Sequence, residues 1–189
     1  MNDRSDQDRA TEPAAIKLLD AVERIFATQS PSTVSMRTIA AEAECSLGLT
    51  YNYFDSKEDL IGAALDRMAE RITSEAIIFD DPHEALLALL GSMQANAAFP
   101  RLVTWLVLEG HDVSSVMTGH PLMQSISAIA AERGAEDPVS VAMTMGLLAI
   151  GTFTYNAMLN GTAGREPDDE RLLRAAADMY AGWFPRADP

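Results

Sequence analysis

Residues Glu44 to Leu60 read ECSLGLTYNYFDSKEDL and concentrate groups that donate hydrogen bonds to anions. Ser46, Tyr51 and Tyr53 supply hydroxyls, and Lys57 supplies an ammonium. Such side chains, together with the free backbone N–H groups at the start of a helix, are suitable partners for phosphate oxygens. The stretch therefore indicates a phosphate-binding surface.

Two further residues in the same stretch favour an external partner. Gly48 falls inside a short helical segment, where glycine costs about 1 kcal/mol relative to alanine, and a backbone that must be approached closely would account for it. Tyr51 and Tyr53 flank Asn52, so at helical spacing the two rings point in different directions and cannot both be core. At least one tyrosine hydroxyl is therefore offered outward.

A second polar group, Glu109, His111, Asp112 and His120, has the ligand types that zinc or a similar ion prefers. It contains no pair of histidines at helical i, i+4 spacing, and it lies beside Gly110 and Gly119, where loops gather polar residues. A solvated junction between helices is the favoured interpretation. We predict no metal and no cofactor.

The sequence carries no motif that predicts an enzyme. Neither G-x-S-x-G, a P-loop nor a dinucleotide fingerprint occurs, and no Cys-His or Ser-His pairing is suggested by spacing. A helical hydrolase built on His111 and Asp112 remains as an alternative.

Hydrophobic spacing predicts helices that could carry the donors. A first helix begins near Pro13 and ends before Ser30, with an apolar stripe at helical period. Ser35, Ser46 and Ser56 are each suited to cap a following helix, and a tight turn at Glu44 and Cys45 separates the second helix from the third. This is a helix-turn-helix plan.

The rest of the chain also predicts helices, and no strand alternation is found. Asp81-Pro82 and Asp137-Pro138 place an N-cap before a proline at the first helical position. The expected helices span 57–78, 82–97, 101–117, 121–133, 138–160 and 168–184. The predicted class is all-α, with a disordered tail at 1–12, a helix-turn-helix domain at 13–60 and a helical domain at 61–189.

Charge limits the kinds of partner. The net charge is -14 and the isoelectric point is about 4.4, which excludes unspecific attraction to nucleic acid or anionic lipid. A single cysteine and an N-terminus without an apolar run predict a cytoplasmic protein. Val139 to Ala163 is uncharged and as long as a membrane span, but scattered hydroxyls and amides favour a buried interface helix and no membrane.

Residues from about Ile16 to Leu60 resemble the DNA-binding domain of the TetR family of bacterial transcriptional regulators. The resemblance is carried by Ile39-Ala40, the turn at Ala43, Ser46-x-Gly48 and the run Tyr51-x-Tyr53-Phe54-x-Ser56-Lys57-Glu58-x-Leu60. It implies an N-terminal helix-turn-helix that binds double-stranded operator DNA and a C-terminal helical domain for dimerisation and effector binding. Repression that a small molecule relieves is the implied function.

The resemblance also assigns roles by position. Residues 46–53 match the recognition helix, and Tyr51, Tyr53 and Lys57 match positions that usually touch phosphates. Asn52 could then bond an adenine edge, and the leucines could meet thymine methyl groups. The predicted DNA-binding residues are Ser35, Met36, Arg37, Ser46, Leu47, Gly48, Leu49, Tyr51, Asn52, Tyr53 and Lys57.

The chain departs from the family pattern in three places. Glu44 stands where glycine is common, Cys45 where an aliphatic residue is common, and Thr50 where leucine or isoleucine is common. We interpret Cys45 as a small buried hydrophobe, with a redox role as the alternative, and expect Thr50 to pack the recognition helix less firmly. Residues 1–60 contain six basic and eleven acidic side chains, so DNA affinity should depend on geometry and dimerisation.

Beyond Leu60 the resemblance gives an architecture but no effector. A homodimer is expected through the last two helices, because helix 138–160 is apolar almost all round and Gly146 and Gly151 allow close approach. A small, mainly apolar effector is expected among methionines and aromatic residues. An interaction module without an operator is the alternative. The predicted effector-binding residues are Met68, Ile72, Trp105, Leu106, Met117, Met123, Ile126, Phe153 and Tyr155.

Overall fold

The computed structural model describes residues 12–76, 82–113, 121–132, 134–164, 171, 174–176 and 178–179, which contain helices and no strand. The chain divides into two compact units. The first contains residues 1–68 and 101–119, and the second contains residues 69–100 and 120–189. The all-α prediction is confirmed for the described residues.

Three short helices lie between residues 13 and 53 of the first unit. Helix α1 spans Pro13–Phe26, α2 spans Met36–Glu42 and α3 spans Leu47–Tyr53, with a 3-10 helix at Pro31–Thr33 between α1 and α2. The apolar stripe of α1 is buried, and α1 packs against both α2 and α3. The predicted helix-turn-helix is therefore formed around one small core.

Helix α4 spans Lys57–Ala76 and passes from the first unit into the second. Its first-unit part is fixed to α1 by Arg67, whose guanidinium binds Asp20 at 2.5 Å and Glu23 at 2.6 Å. Leu60, Ile61 and Leu65 are buried along the same helix. This stretch of α4 therefore belongs to the core that supports the helix-turn-helix.

Four further helices follow in the described residues. Helix α5 spans Pro82–Ala95, α6 spans Ala98–Leu108, α7 spans Pro121–Glu132 and α8 spans Pro138–Thr162. In the second unit α8 packs mainly against α7 and also touches α5. The side of α8 that carries Ala142, Met145 and Ala149 is buried, and the other side is not.

The helix boundaries differ from the predictions at α6. The sequence placed this helix at 101–117, but α6 spans Ala98–Leu108 and includes Pro100. It ends earlier because Gly110 takes a left-handed conformation with φ of 81°. A proline in the first turn loses no hydrogen bond, because the first N–H groups of a helix have no intrahelical acceptor. The expected last helix, 168–184, and the Asp81 cap lie largely outside the described residues.

Candidate nucleic-acid interface

Side-chain caps fix where α2 and α3 begin. The Ser35 hydroxyl accepts from the backbone N–H of Thr38 at 3.1 Å, and the Ser46 hydroxyl accepts from that of Leu49 at 3.1 Å. In the same way Ser56 accepts from Asp59 at 3.0 Å and caps α4. The three capping predictions are confirmed, and each cap is local in the sequence.

The turn between α2 and α3 is a Schellman motif with glutamate in the left-handed position. The N–H of Cys45 donates to Ala40 at 2.9 Å and that of Glu44 donates to Ala41 at 3.1 Å, the two bonds that define the motif. Glu44 has φ of 55°, the one non-glycine residue with positive φ in the described backbone. The family preference for glycine here thus has a direct conformational cause.

One side of α3 faces outward. Gly48, Tyr51 and Asn52 are exposed, and Leu47 and Leu49 are partly exposed. A Cβ atom added to Gly48 would meet nothing within 4 Å, so packing inside the chain does not require glycine there. The outward face therefore combines a hydroxyl, an amide and a bare stretch of backbone, and leucine side chains border it.

Thr50 anchors the opposite side of α3. It is completely buried, and its hydroxyl donates to the carbonyl of Ser46 at 3.1 Å. A polar residue in this core position is therefore satisfied by its own helix. Cys45, interpreted as buried, is in fact half-buried, because the left-handed turn at Glu44 leaves it at the edge of the core.

Two of the three predicted phosphate donors already have partners. The Tyr53 hydroxyl donates to Glu12 at 2.7 Å. The Lys57 ammonium donates to the carbonyls of Pro31 at 3.0 Å and Val34 at 3.2 Å. Tyr51 is 51% exposed and is the predicted donor best placed to meet a phosphate.

The basic residues near α2 and α3 are few. Arg37 is exposed at the start of α2 and has no hydrogen-bond or ion-pair partner among the described residues. Arg24 instead pairs with Glu42 at 2.8 Å. Met36 was predicted to touch DNA, but its side chain is 7% exposed; it belongs to the core, and only its backbone N–H is left for that role.

The described residues of the Glu109 group make other contacts. No cluster of three histidine, cysteine, aspartate or glutamate side chains occurs among the described residues, and His120 lies outside them. Glu109 instead accepts hydrogen bonds from the Ser30 hydroxyl and, at 3.3 Å, from the N–H of Ser32. Sequence reasoning missed this contact, because no local pattern joins residues 79 positions apart.

Desolvation acts to raise the pKa of Glu109, but the hydrogen bonds from Ser30 and Ser32 and the nearby His111 outweigh it and lower that pKa. The His111 imidazole lies 3.7 Å from the second carboxylate oxygen. Glu109 is therefore held as a carboxylate that caps the 3-10 helix between α1 and α2.

The predicted effector-binding residues fall in both units. Met68, Trp105 and Leu106 belong to the first unit, whereas Ile72, Met123, Ile126, Phe153 and Tyr155 belong to the second. Met68, Ile72, Leu106 and Ile126 are buried, and Tyr155 is 47% exposed. Met117 lies outside the described residues.

Comparison with known proteins agrees with this geometry. Residues 18–64 match the family described as bacterial regulatory proteins, tetR family. The uncharacterized HTH-type transcriptional regulator Rv1255c of Mycobacterium tuberculosis is 32% identical over 142 residues, which span 70% of this chain and 69% of that protein. The HTH-type transcriptional repressor Rv3405c of the same organism is 34% identical over 71 residues, 38% of each chain.

A solved structure shows the same fold over nearly the whole chain. SCO4454, a TetR-family transcriptional regulator from Streptomyces coelicolor, is 18% identical, has a TM-score of 0.64 and covers 96% of each chain. The fold, the helix-turn-helix sequence and the relative that matches over 142 residues thus all indicate the same family. The chain belongs to the TetR family of bacterial transcriptional regulators.

Proposed function

We propose that this regulator is a cytoplasmic homodimeric repressor that binds a palindromic operator through α3 and leaves it when a small, mainly apolar molecule binds within residues 61–189. The outward face of α3 supports this proposal most directly. Gly48, Tyr51 and Asn52 are exposed on one side of α3, and Thr50 on the other side is buried in the core. Tyr51 would bind phosphate, and Asn52 would read a base edge.

An exposed apolar surface on α8 supports dimerisation. In the single chain, Val139, Met143 and Leu147 are 58%, 55% and 72% exposed, and they follow one another at i, i+4 spacing. Such a surface is costly in water unless a partner covers it. A Cβ atom at Gly151 would meet nothing within 4 Å, whereas one at Gly146 would touch Met123. Gly151 therefore suits approach by a second copy, and Gly146 serves packing on α7.

By length and composition alone, the window Pro138–Tyr155 could also cross a membrane, and 17% of it is buried in the single chain. In a DNA-binding regulator, dimerisation explains the same surface without a membrane, because a second copy of α8 would remove it from water. The dimer is therefore the interpretation that fits both the family and the exposure.

Within the first unit, α6 contacts the segment between α1 and α2. Arg101 donates to the carbonyl of Ala27 at 2.7 Å, and Glu109 caps the 3-10 helix that follows. Trp105 and Leu106, two of the proposed effector-binding residues, lie between them on α6. A ligand that moves this helix would therefore act on the segment that leads into α2, and its preference for one arrangement would set the extent of DNA release.

The net charge of residues 61–189, which contain eight basic and seventeen acidic side chains, favours neutral or cationic apolar effectors over anionic ones. A thermal-shift screen with matched cationic, neutral and anionic apolar compounds tests this point. Stabilisation by anions alone would contradict the charge argument. A Trp105→Ala, Met123→Ala double variant that keeps the stabilisation would contradict the location.

A mobility-shift assay on the DNA upstream of the chain's own gene, at two salt concentrations, tests the proposed function. Specific binding should persist against excess unrelated DNA at the higher salt concentration, since base contacts add to phosphate contacts. Loss of all preference for that DNA would contradict the proposed function and favour a protein-interaction module that binds no operator.

A further inference from the structure

The first residue before α1 makes a direct contact with the last residue of α3. Glu12 is the N-cap residue of α1, but its side chain forms no capping hydrogen bond. It extends instead to Tyr53 and accepts a hydrogen bond from the phenol at 2.7 Å. Glu12, placed in a disordered tail by the sequence prediction, is thus part of the surface that would meet DNA.

The contact occupies the group that a phosphate would need. A tyrosine hydroxyl has a single proton to donate, and here that proton points to a carboxylate. The carboxylate oxygens of Glu12 carry negative charge, as phosphate oxygens do, and both are strong acceptors. A phosphate that approaches Tyr53 therefore meets an occupied donor and a like charge.

The local structure keeps the carboxylate in place. Glu12 sits at the N-terminus of α1, where the helix dipole favours an anion. Pro13 follows it at the first helical position, where its fixed φ suits the start of a helix.

We propose that Glu12 is a negative determinant of DNA affinity, which holds the Tyr53 hydroxyl in the free protein and competes with an operator phosphate for it. This inference rests on the proposed function, because it assigns Tyr53 to the DNA interface. Glu12 lowers affinity for all operator variants about equally, since a phosphate contact carries no base preference.

The test uses operator DNA that the wild-type full-length protein has selected from a random pool. Glu12→Gln keeps the shape and an acceptor for the phenol but removes the charge. It should tighten binding about fivefold per half-site, the usual net contribution of the one hydrogen bond that the released phenol can then give to a phosphate. Glu12→Ala, which removes the acceptor too, should tighten binding to a similar extent.

Two matched variants separate competition at Tyr53 from a change in net charge. Glu132→Gln, in the second unit, makes the same charge change and should leave affinity within about twofold of wild type. In a Tyr53→Phe background, Glu12→Gln should gain less than about twofold, because the contested donor is gone.

Three results would overturn the inference: unchanged or weaker binding by Glu12→Gln, an equal gain in the Tyr53→Phe background, or an equal gain from Glu132→Gln. Weaker binding would mean that Glu12 positions Tyr53 for DNA. If wild-type protein selects no operator, the proposed function itself fails, and this outcome is distinct from the other three.

Discussion

The carboxylate of Glu109, at the end of α6, accepts the backbone N–H of Ser32 at 3.3 Å and so caps a 3-10 helix 77 positions earlier in the chain. The Ser30 hydroxyl donates to the same oxygen. Replacing Glu109 by alanine should lower the free energy of unfolding by about 1–2 kcal/mol, since two hydrogen bonds to a charged group are lost. Urea unfolding measures the change.

The same contact predicts a pH dependence. The folded state lowers the pKa of Glu109 from its ordinary value of 4.5, so its stabilising effect is complete above that value and is lost as the pH falls through the folded-state pKa. Wild-type protein should therefore lose more stability below about pH 4.5 than Glu109→Gln does. Parallel curves for the two proteins would show that the carboxylate charge is not part of the cap.

Glu44 should be a weak point of the helix-turn-helix. Its φ of 55° is unfavourable for a residue with a Cβ atom, so Glu44→Gly should raise the free energy of unfolding by about 1 kcal/mol. Glu44→Ala removes the charge but keeps the Cβ atom, and its stability should stay near that of wild type. Equal stabilisation by both variants would identify charge, and not backbone conformation, as the cause.

Gly48 should separate stability from DNA binding. A methyl group at this position has open space around it, so Gly48→Ala should stabilise α3 by about 1 kcal/mol. It should also weaken operator binding at least about tenfold, a loss of about 1.4 kcal/mol, if DNA approaches the bare backbone.

Gly91→Ala is the matched control, since Gly91 also lies in a helix with no atom within 4 Å of an added Cβ. The free energy of unfolding of Gly91→Ala should rise by a similar amount, with no change in operator affinity. An unchanged operator affinity in Gly48→Ala would contradict a close approach of DNA to the backbone at Gly48.

The exposed side of α8 should hold the dimer together. Leu147→Glu places a charge at a side chain that is 72% exposed in the single chain, so it should leave the monomer fold intact but disfavour the dimer. Light scattering at micromolar concentration should show a monomer. Leu108→Glu, at a side chain 75% exposed on α6, should remain dimeric, and a monomeric wild type would contradict the interface.

The sequence predicted what depends on neighbours along the chain and missed what depends on distant partners. Ser35, Ser46 and Ser56 could be identified as caps because each binds an N–H three residues later. The partners of Tyr53 and Glu109 lie 41 and 79 positions away, and no periodic pattern encodes them.

The roles of the predicted interface residues could be assigned only in part from the sequence, for the same reason. Helical spacing showed that one tyrosine had to face outward, but only the packed structure shows that Tyr51 is exposed and that Tyr53 contacts Glu12. Lys57 was predicted to bind a phosphate. It instead binds two carbonyls of the segment that precedes α2, so Lys57→Ala would lower stability as well as DNA affinity.

Sequence selection by wild-type, Asn52→Ala and Tyr51→Phe proteins from one random DNA pool tests the central claim most directly. Wild type should select a palindrome. Asn52→Ala should select the same palindrome with preference relaxed at one base pair per half-site, whereas Tyr51→Phe should keep every preference and bind all sequences about two- to tenfold more weakly. An Asn52→Ala protein that keeps every base preference and only binds more weakly would contradict the assignment of α3 as the helix that reads DNA.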